Sequence, residues 1–170
     1  MSVPSEAWLR GPIAGMPPIL HPLAYALIQA QEDVEAVRRM YEAAPEVERF
    51  VREGGDLTAH PWLSLWHPEA VLKDLPEVPD ASTYEGREAI GRYFETALRD
   101  AWEEWRFVPR EITDGPAGVF VAVDNSARSR AGVELRMDLF QVLRVREGMI
   151  AYAAGYLDRR QALEDAGLAE

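Results

Sequence analysis

No cysteine occurs in the 170 residues, which removes disulfides, thiolate metal sites and cysteine nucleophiles together. Positive charge is scarce as well: 18 Lys+Arg face 29 Asp+Glu, a net charge of −11. The adjacent basic pairs are Arg38-Arg39 and Arg159-Arg160. Such a surface repels phosphates, so neither nucleic acid nor an anionic membrane is an expected partner. No apolar run approaches the roughly 20 residues that span a bilayer. Residues 1–20 are broken by Gly11-Pro12, Gly15 and Pro17-Pro18 and hold no signal-like apolar core, so a cytoplasmic protein is expected. His21, His60 and His67 each precede a proline and lack HxH or HExxH spacing, which gives no metal pattern. A Gly-rich phosphate loop and a GxSxG elbow are also missing, so nucleotide binding and serine hydrolysis have no support, and no cofactor is expected.

What is present suits one α+β domain. An irregular arm over 1–21 precedes a single domain over 22–170. Leu23, Leu27, Ala30, Val34, Val37 and Tyr41 recur at helical spacing, and Pro45 opens a second short helix ended by Gly54-Gly55. From Ala70 the period becomes two: Ala70, Leu72 and Asp74 share one strand face, while Val71, Lys73 and Leu75 share the other. Residues 76–85 read as a loop. Ala89, Ile90, Tyr93, Phe94, Ala97, Leu98 and Ala101 then form the clearest helical stripe, over 86–102. Strands are expected at 105–112, 119–125, 133–145 and 149–156, and Asp158 is an N-cap for a final helix. Helices segregated from a run of strands imply helices laid on one face of a curved sheet.

Four strings in this order resemble the SnoaL-like branch of the nuclear-transport-factor-2-like superfamily. They are VRRMYEA at 37–43, LWHPEAVLKD at 65–74, TYEGREAIGRYFE at 83–95 and FQVLRVREGMIAYAAGYLDRRQALEDAGL at 140–168. The N-terminal extension and PEVERFVREGG at 45–55 depart from that pattern. The resemblance implies a cone-shaped half-barrel, a curved antiparallel sheet covered by helices on its concave face around one pocket. It also implies a small hydrophobic ligand and, where there is chemistry, cofactor-independent isomerisation, cyclisation or dehydration. A non-catalytic ligand-binding or dimeric assembly module is the alternative.

Asp74 leads the candidates, because its alternation with Ala70 and Leu72 points a carboxylate inward, where it can act as a proton-transfer base. The resemblance assigns it the isomerase base position and assigns oxyanion donation to Tyr41 and Asp138. Periodicity leaves Asp138 open. If the apolar face Val133, Leu135, Met137 and Leu139 lines the cone, Asp138 points out; if that face meets another subunit, it points in. The resemblance also implies an Asp-Arg-Asp relay in the family's epoxide hydrolases and a last-strand acid in its cyclases. This sequence has Ala122 and Gly155 in the one and Ala151 to Gly155 in the other, so neither is expected. Trp62, Trp66, Tyr93, Phe94, Trp102, Trp105 and Phe120 concentrate where the cone closes. Among them Trp66, Tyr93, Phe94 and Phe120, with His67 at the rim, are the expected ligand contacts. A strand apolar on both faces over 137–145 predicts a homodimer, with Leu139, Leu143 and Val145 as its outer face.

Overall fold

The structure is a computed structural model that describes residue 11 and residues 14–169, so the expected arm over 1–21 lies largely outside the described residues. A 3-10 turn, Pro18–Leu20, runs into α1, His21–Glu42, with Pro22 in the first turn, where its missing N–H costs nothing. α2, Ala44–Arg52, uses Pro45 the same way. β1, Trp66–Lys73, pairs with β2, Thr83–Glu85, a short strand inside the segment read as a loop. α3, Arg87–Thr96, continues into one π turn, Ala97–Ala101. The remaining strands are β3, Trp102–Gly115, β4, Gly118–Ser129, β5, Glu134–Arg146, and β6, Met149–Tyr156. Glu147 and Gly148 join β5 to β6 at φ 54° and 74°, the paired positive φ that matches hairpin twist. α4, Arg159–Ala166, begins at the N-cap Asp158, whose carboxylate accepts the Arg160 N–H. It stops at Gly167 with the Leu168 N–H returned to the Leu163 carbonyl.

The strands lie in the order β2-β1-β6-β5-β4-β3, forming a curved sheet that does not close. Every neighbouring pair is antiparallel except β1 and β6, which run parallel and make the sheet mixed. Register shifts at Trp66/Val71, Trp102/Glu104 and Pro109/Glu111 are bulges of the kind that bend a sheet. The first compresses the start of β1: residues 66 and 71 oppose Ile150 and Tyr152, only two residues apart.

Alternation assigns the two faces. Val119, Val121 and Val123 join Leu139 and Leu143 on the concave side, against Val37 and Tyr41 of α1, Val51 of α2 and Ile90 of α3. Each fully buried aliphatic side chain here contributes about 1.5–3 kcal/mol. Phe120, Ala122, Phe140 and Val142 face the convex side, where Ala162 and Ala166 of α4 cover them. This corrects the dimer reading of β5. Leu139 and Leu143 are buried in the main core, and Val145 packs against it. The opposite face of β5 is covered by α4, so both apolar faces are satisfied within one chain.

Candidate functional site

Asp74 stands just past β1, continuing the face on which Ala70 and Leu72 are buried. β2 returns antiparallel, with Tyr84 opposite Leu72. That places the Tyr84 hydroxyl 3.3 Å from Asp74 Oδ2, to which it donates. The Ser82 N–H reaches the same oxygen at 3.4 Å, and the Asp74 N–H donates to the Ser82 carbonyl at 3.1 Å. Tyr93, from α3, brings its phenol near the Asp74 carboxylate as well. The Tyr84 and Tyr93 rings lie 4.4 Å apart. Burial first, then the Asp74 charge, pushes both phenols above the ordinary tyrosine range, so both stay protonated donors.

These two rings form one wall of a groove of about 650 Å³, completed by Ala89, Arg92, Thr96 and Ala97. Behind the groove the aromatics continue inward. Tyr93 meets Phe94 at 5.1 Å, and Phe94 meets Trp62 at 5.4 Å, Trp105 at 6.2 Å and Trp66 at 6.3 Å. Trp105 donates its indole N–H to the buried Asn125 at 3.0 Å. The indole nitrogens of Trp62 and Trp66 are buried without an acceptor among the described residues.

Of the expected site residues, the structure brings together Asp74, Tyr93, Phe94 and Trp66. Four others lie elsewhere. Tyr41 is buried in α1 and donates to Gln141 on the concave face of β5; burial holds its phenol far above the usual range. Its ring borders a second depression of about 400 Å³ with Arg38, Pro109, Arg110 and Ile112, away from Asp74. Asp138 points outward because Leu139 takes the concave face, and its side chain is 65% exposed. It sits directly across from Asp124. Like charges in that register repel. The bulge at Pro109/Glu111 aims Arg110 between them, 2.8 Å from each. An Asp-Arg-Asp array therefore exists, but on the open convex surface, where such pairs contribute little.

Phe120 is also convex, stacked 6.1 Å from Phe140 under the Arg159 guanidinium. His67 occupies the opposite end of β1 from Asp74. Its Nδ1 accepts the Glu69 N–H at 3.1 Å, and Arg146 lies against the ring. It is a local cap for the His-Pro turn and not a rim residue of the groove. Tyr84, Arg92 and Thr96 were missed, since residue 84 fell in a segment with no visible strand period. The signal was TYEG itself, a β-favouring tyrosine directly before the helix.

Residues 37–153 match the SnoaL-like domain family, more than half of the chain. No curated protein matches this chain. Solved structures share its fold at low identity. Bal32a, from a soil-derived mobile gene cassette, is 20% identical over 80% of this chain and 96% of its own, with a TM-score of 0.61. An NTF2-like protein of unknown function from Burkholderia pseudomallei is 16% identical over 78% and 95%, with a TM-score of 0.58. A Mycobacterium tuberculosis protein, in complex with estradiol-17beta-hemisuccinate, is 20% identical over 75% and 95%, with a TM-score of 0.57. This chain belongs to the SnoaL-like family and carries its nuclear-transport-factor-2-like fold.

Proposed function

We propose that this chain binds a small, mostly apolar molecule through the groove between β2 and α3, and that Asp74 addresses the molecule's polar group. The observation that carries this is one carboxylate beside two groove-lining phenols, bonded to Tyr84 at 3.3 Å and near Tyr93. A mainly apolar wall with a few convergent polar groups is the usual composition of a small-molecule site. The Mycobacterium tuberculosis relative that shares the fold holds a steroid ester, which supports a flat apolar ligand here. The chemistry open to the site is proton transfer at a carbon next to a carbonyl, with Asp74 as acceptor. Tyr41 and Asp138 are not beside it, so that part of the proposal rests on Asp74.

Acetylnaphthalene, a flat ketone with exchangeable methyl protons, tests both parts. The protein is expected to bind it and to speed exchange of those protons in deuterated water. D74N is expected to remove the acceleration, with binding weakened but still measurable. Binding without acceleration selects the alternative, a non-catalytic ligand-binding module in which Asp74 serves as the acceptor for Tyr84 and the Ser82 N–H. An absence of binding overturns the proposal.

The homodimer belongs to the proposal on a different surface. Leu20, Leu23 and Leu27 recur along one face of the start of α1, exposed at 42%, 65% and 72%. Residues 11–31 contain no charged Asp, Glu, Lys or Arg in a chain of net charge −11, so two copies meet there without repulsion. Light scattering is expected to show a dimer that L23E with L27E dissociates. A wild-type mass of a single 19.1 kDa copy contradicts it.

A further inference from the structure

The groove between β2 and α3 carries one charged side chain on its lining, Arg92. Ala89, Tyr93 and Ala97 form one row at i, i+4 spacing, and Arg92 and Thr96 form the row beside it. The guanidinium therefore stands on a different row from the Tyr93 phenol that lies near Asp74. Among the described residues no Asp or Glu lines the groove, and Asp74 stands behind the Tyr84 hydroxyl that donates to it at 3.3 Å. Arg92 makes one ion pair among the described residues, with Glu88 at 3.2 Å, one turn back and outside the lining. Both side chains are largely exposed, at 67% and 73%. An exposed i, i+4 pair of this kind is weak, so a ligand group displaces Glu88 at small cost. The Arg92 charge also reaches Asp56, but that carboxylate already accepts the Thr58 N–H at 2.9 Å and the Thr58 hydroxyl at 2.6 Å. The lining ends at Ala97, where α3 gives way to the π turn Ala97–Ala101, a departure from α geometry that recurs at functional sites.

We infer that Arg92 is a specificity-determining residue of the groove, pairing with a carboxylate carried by the ligand, so that the preferred ligands are flat aromatic acids. This deepens the ligand-binding reading above and rests on it. A guanidinium offers two parallel N–H donors that match the two oxygens of a carboxylate. The net charge of −11 repels an anion over most of the surface, so a cation on the lining decides where an acid settles. The Asp74 charge disfavours the acid at the phenol end. That directs the carboxylate to Arg92 and leaves the apolar body over Ala89, Tyr93 and Ala97.

Equilibrium dialysis at neutral pH and low salt with acetylnaphthoate and the matching acetylnaphthamide separates the two ideas. The pair has nearly the same shape, and only the acid carries a charge. The wild-type chain is expected to hold the acid about fivefold more tightly than the amide. R92Q removes the charge at an exposed position and is expected to bring the ratio to one or below, while the amide's Kd changes by less than about twofold. R38Q, which removes a cation from the depression beside Tyr41, is expected to leave the ratio unchanged. A wild-type ratio of one or below, a preference that persists in R92Q, or a preference lost in R38Q overturns the inference. In each of these cases binding of the amide leaves the ligand-binding reading standing. If neither compound binds, both fall.

Discussion

Raising the pH from about 10 to about 12 is expected to lower the unfolding free energy by several kcal/mol. The buried phenol of Tyr41 and the half-buried phenol of Tyr93 carry most of this. Tyr41 is 6% exposed, and burial raises its folded pKa above the ordinary value near 10. Tyr93 is raised by burial and by the adjacent Asp74 charge. Below about pH 10 both folded and unfolded chains keep these protons, so the contribution is fully present. Above it the unfolded chain releases them while the folded chain does not, and each phenol removes about 1.4 kcal/mol per pH unit. Over two units the two phenols together remove about 5 kcal/mol, comparable with the whole stability of a marginal domain. Urea melts across this range, followed alongside tyrosinate absorbance, give the slope. Y41F is expected to be flatter than the wild-type chain by about the share of one phenol. An unchanged slope in Y41F shows that the buried phenol is not what titrates.

Truncating Trp66 to alanine is expected to destabilise the chain by about 3–5 kcal/mol in denaturant melts. Trp66 is 1% exposed at the compressed start of β1, with Trp62 at 5.7 Å and Phe94 at 6.3 Å. Alanine removes that apolar area and leaves a cavity that three elements would have to close, namely β1, α3 and the turn Pro61–Leu65. Val108, 54% exposed on β3, provides the contrast, since V108A is expected to shift stability by less than about 0.5 kcal/mol. A small loss at Trp66 would mean that this end of the cone is loosely packed.

The elements with strong periods were legible from the residues. α3 was marked by its Ile90, Phe94, Leu98 stripe, and the long strands by alternation and by the Arg146-Glu147-Gly148 turn. Alternation also put Asp74 beside Ala70 and Leu72, the face that is buried. It could not say which face of β4 and β5 is concave, because both are apolar. α4 covers the second one, and eight residues give no measure of where a helix docks. That is why Asp138 stayed open and Phe120 was placed with the pocket aromatics. β2 is three residues long, too short for a period of two to register, so Tyr84 was hidden. Arg110 reaches Asp124 and Asp138 only through a bulge, which shifts the face of every residue beyond it and leaves no mark in composition.

The most direct measurement of the central claim is an N–H correlation spectrum of the chain titrated with acetylnaphthalene. Shifts are expected to concentrate at Tyr84, Ala89, Arg92, Tyr93, Thr96 and Ala97. Shifts concentrated on the convex face around Phe120 and Asp138, or in the depression beside Tyr41, would contradict it.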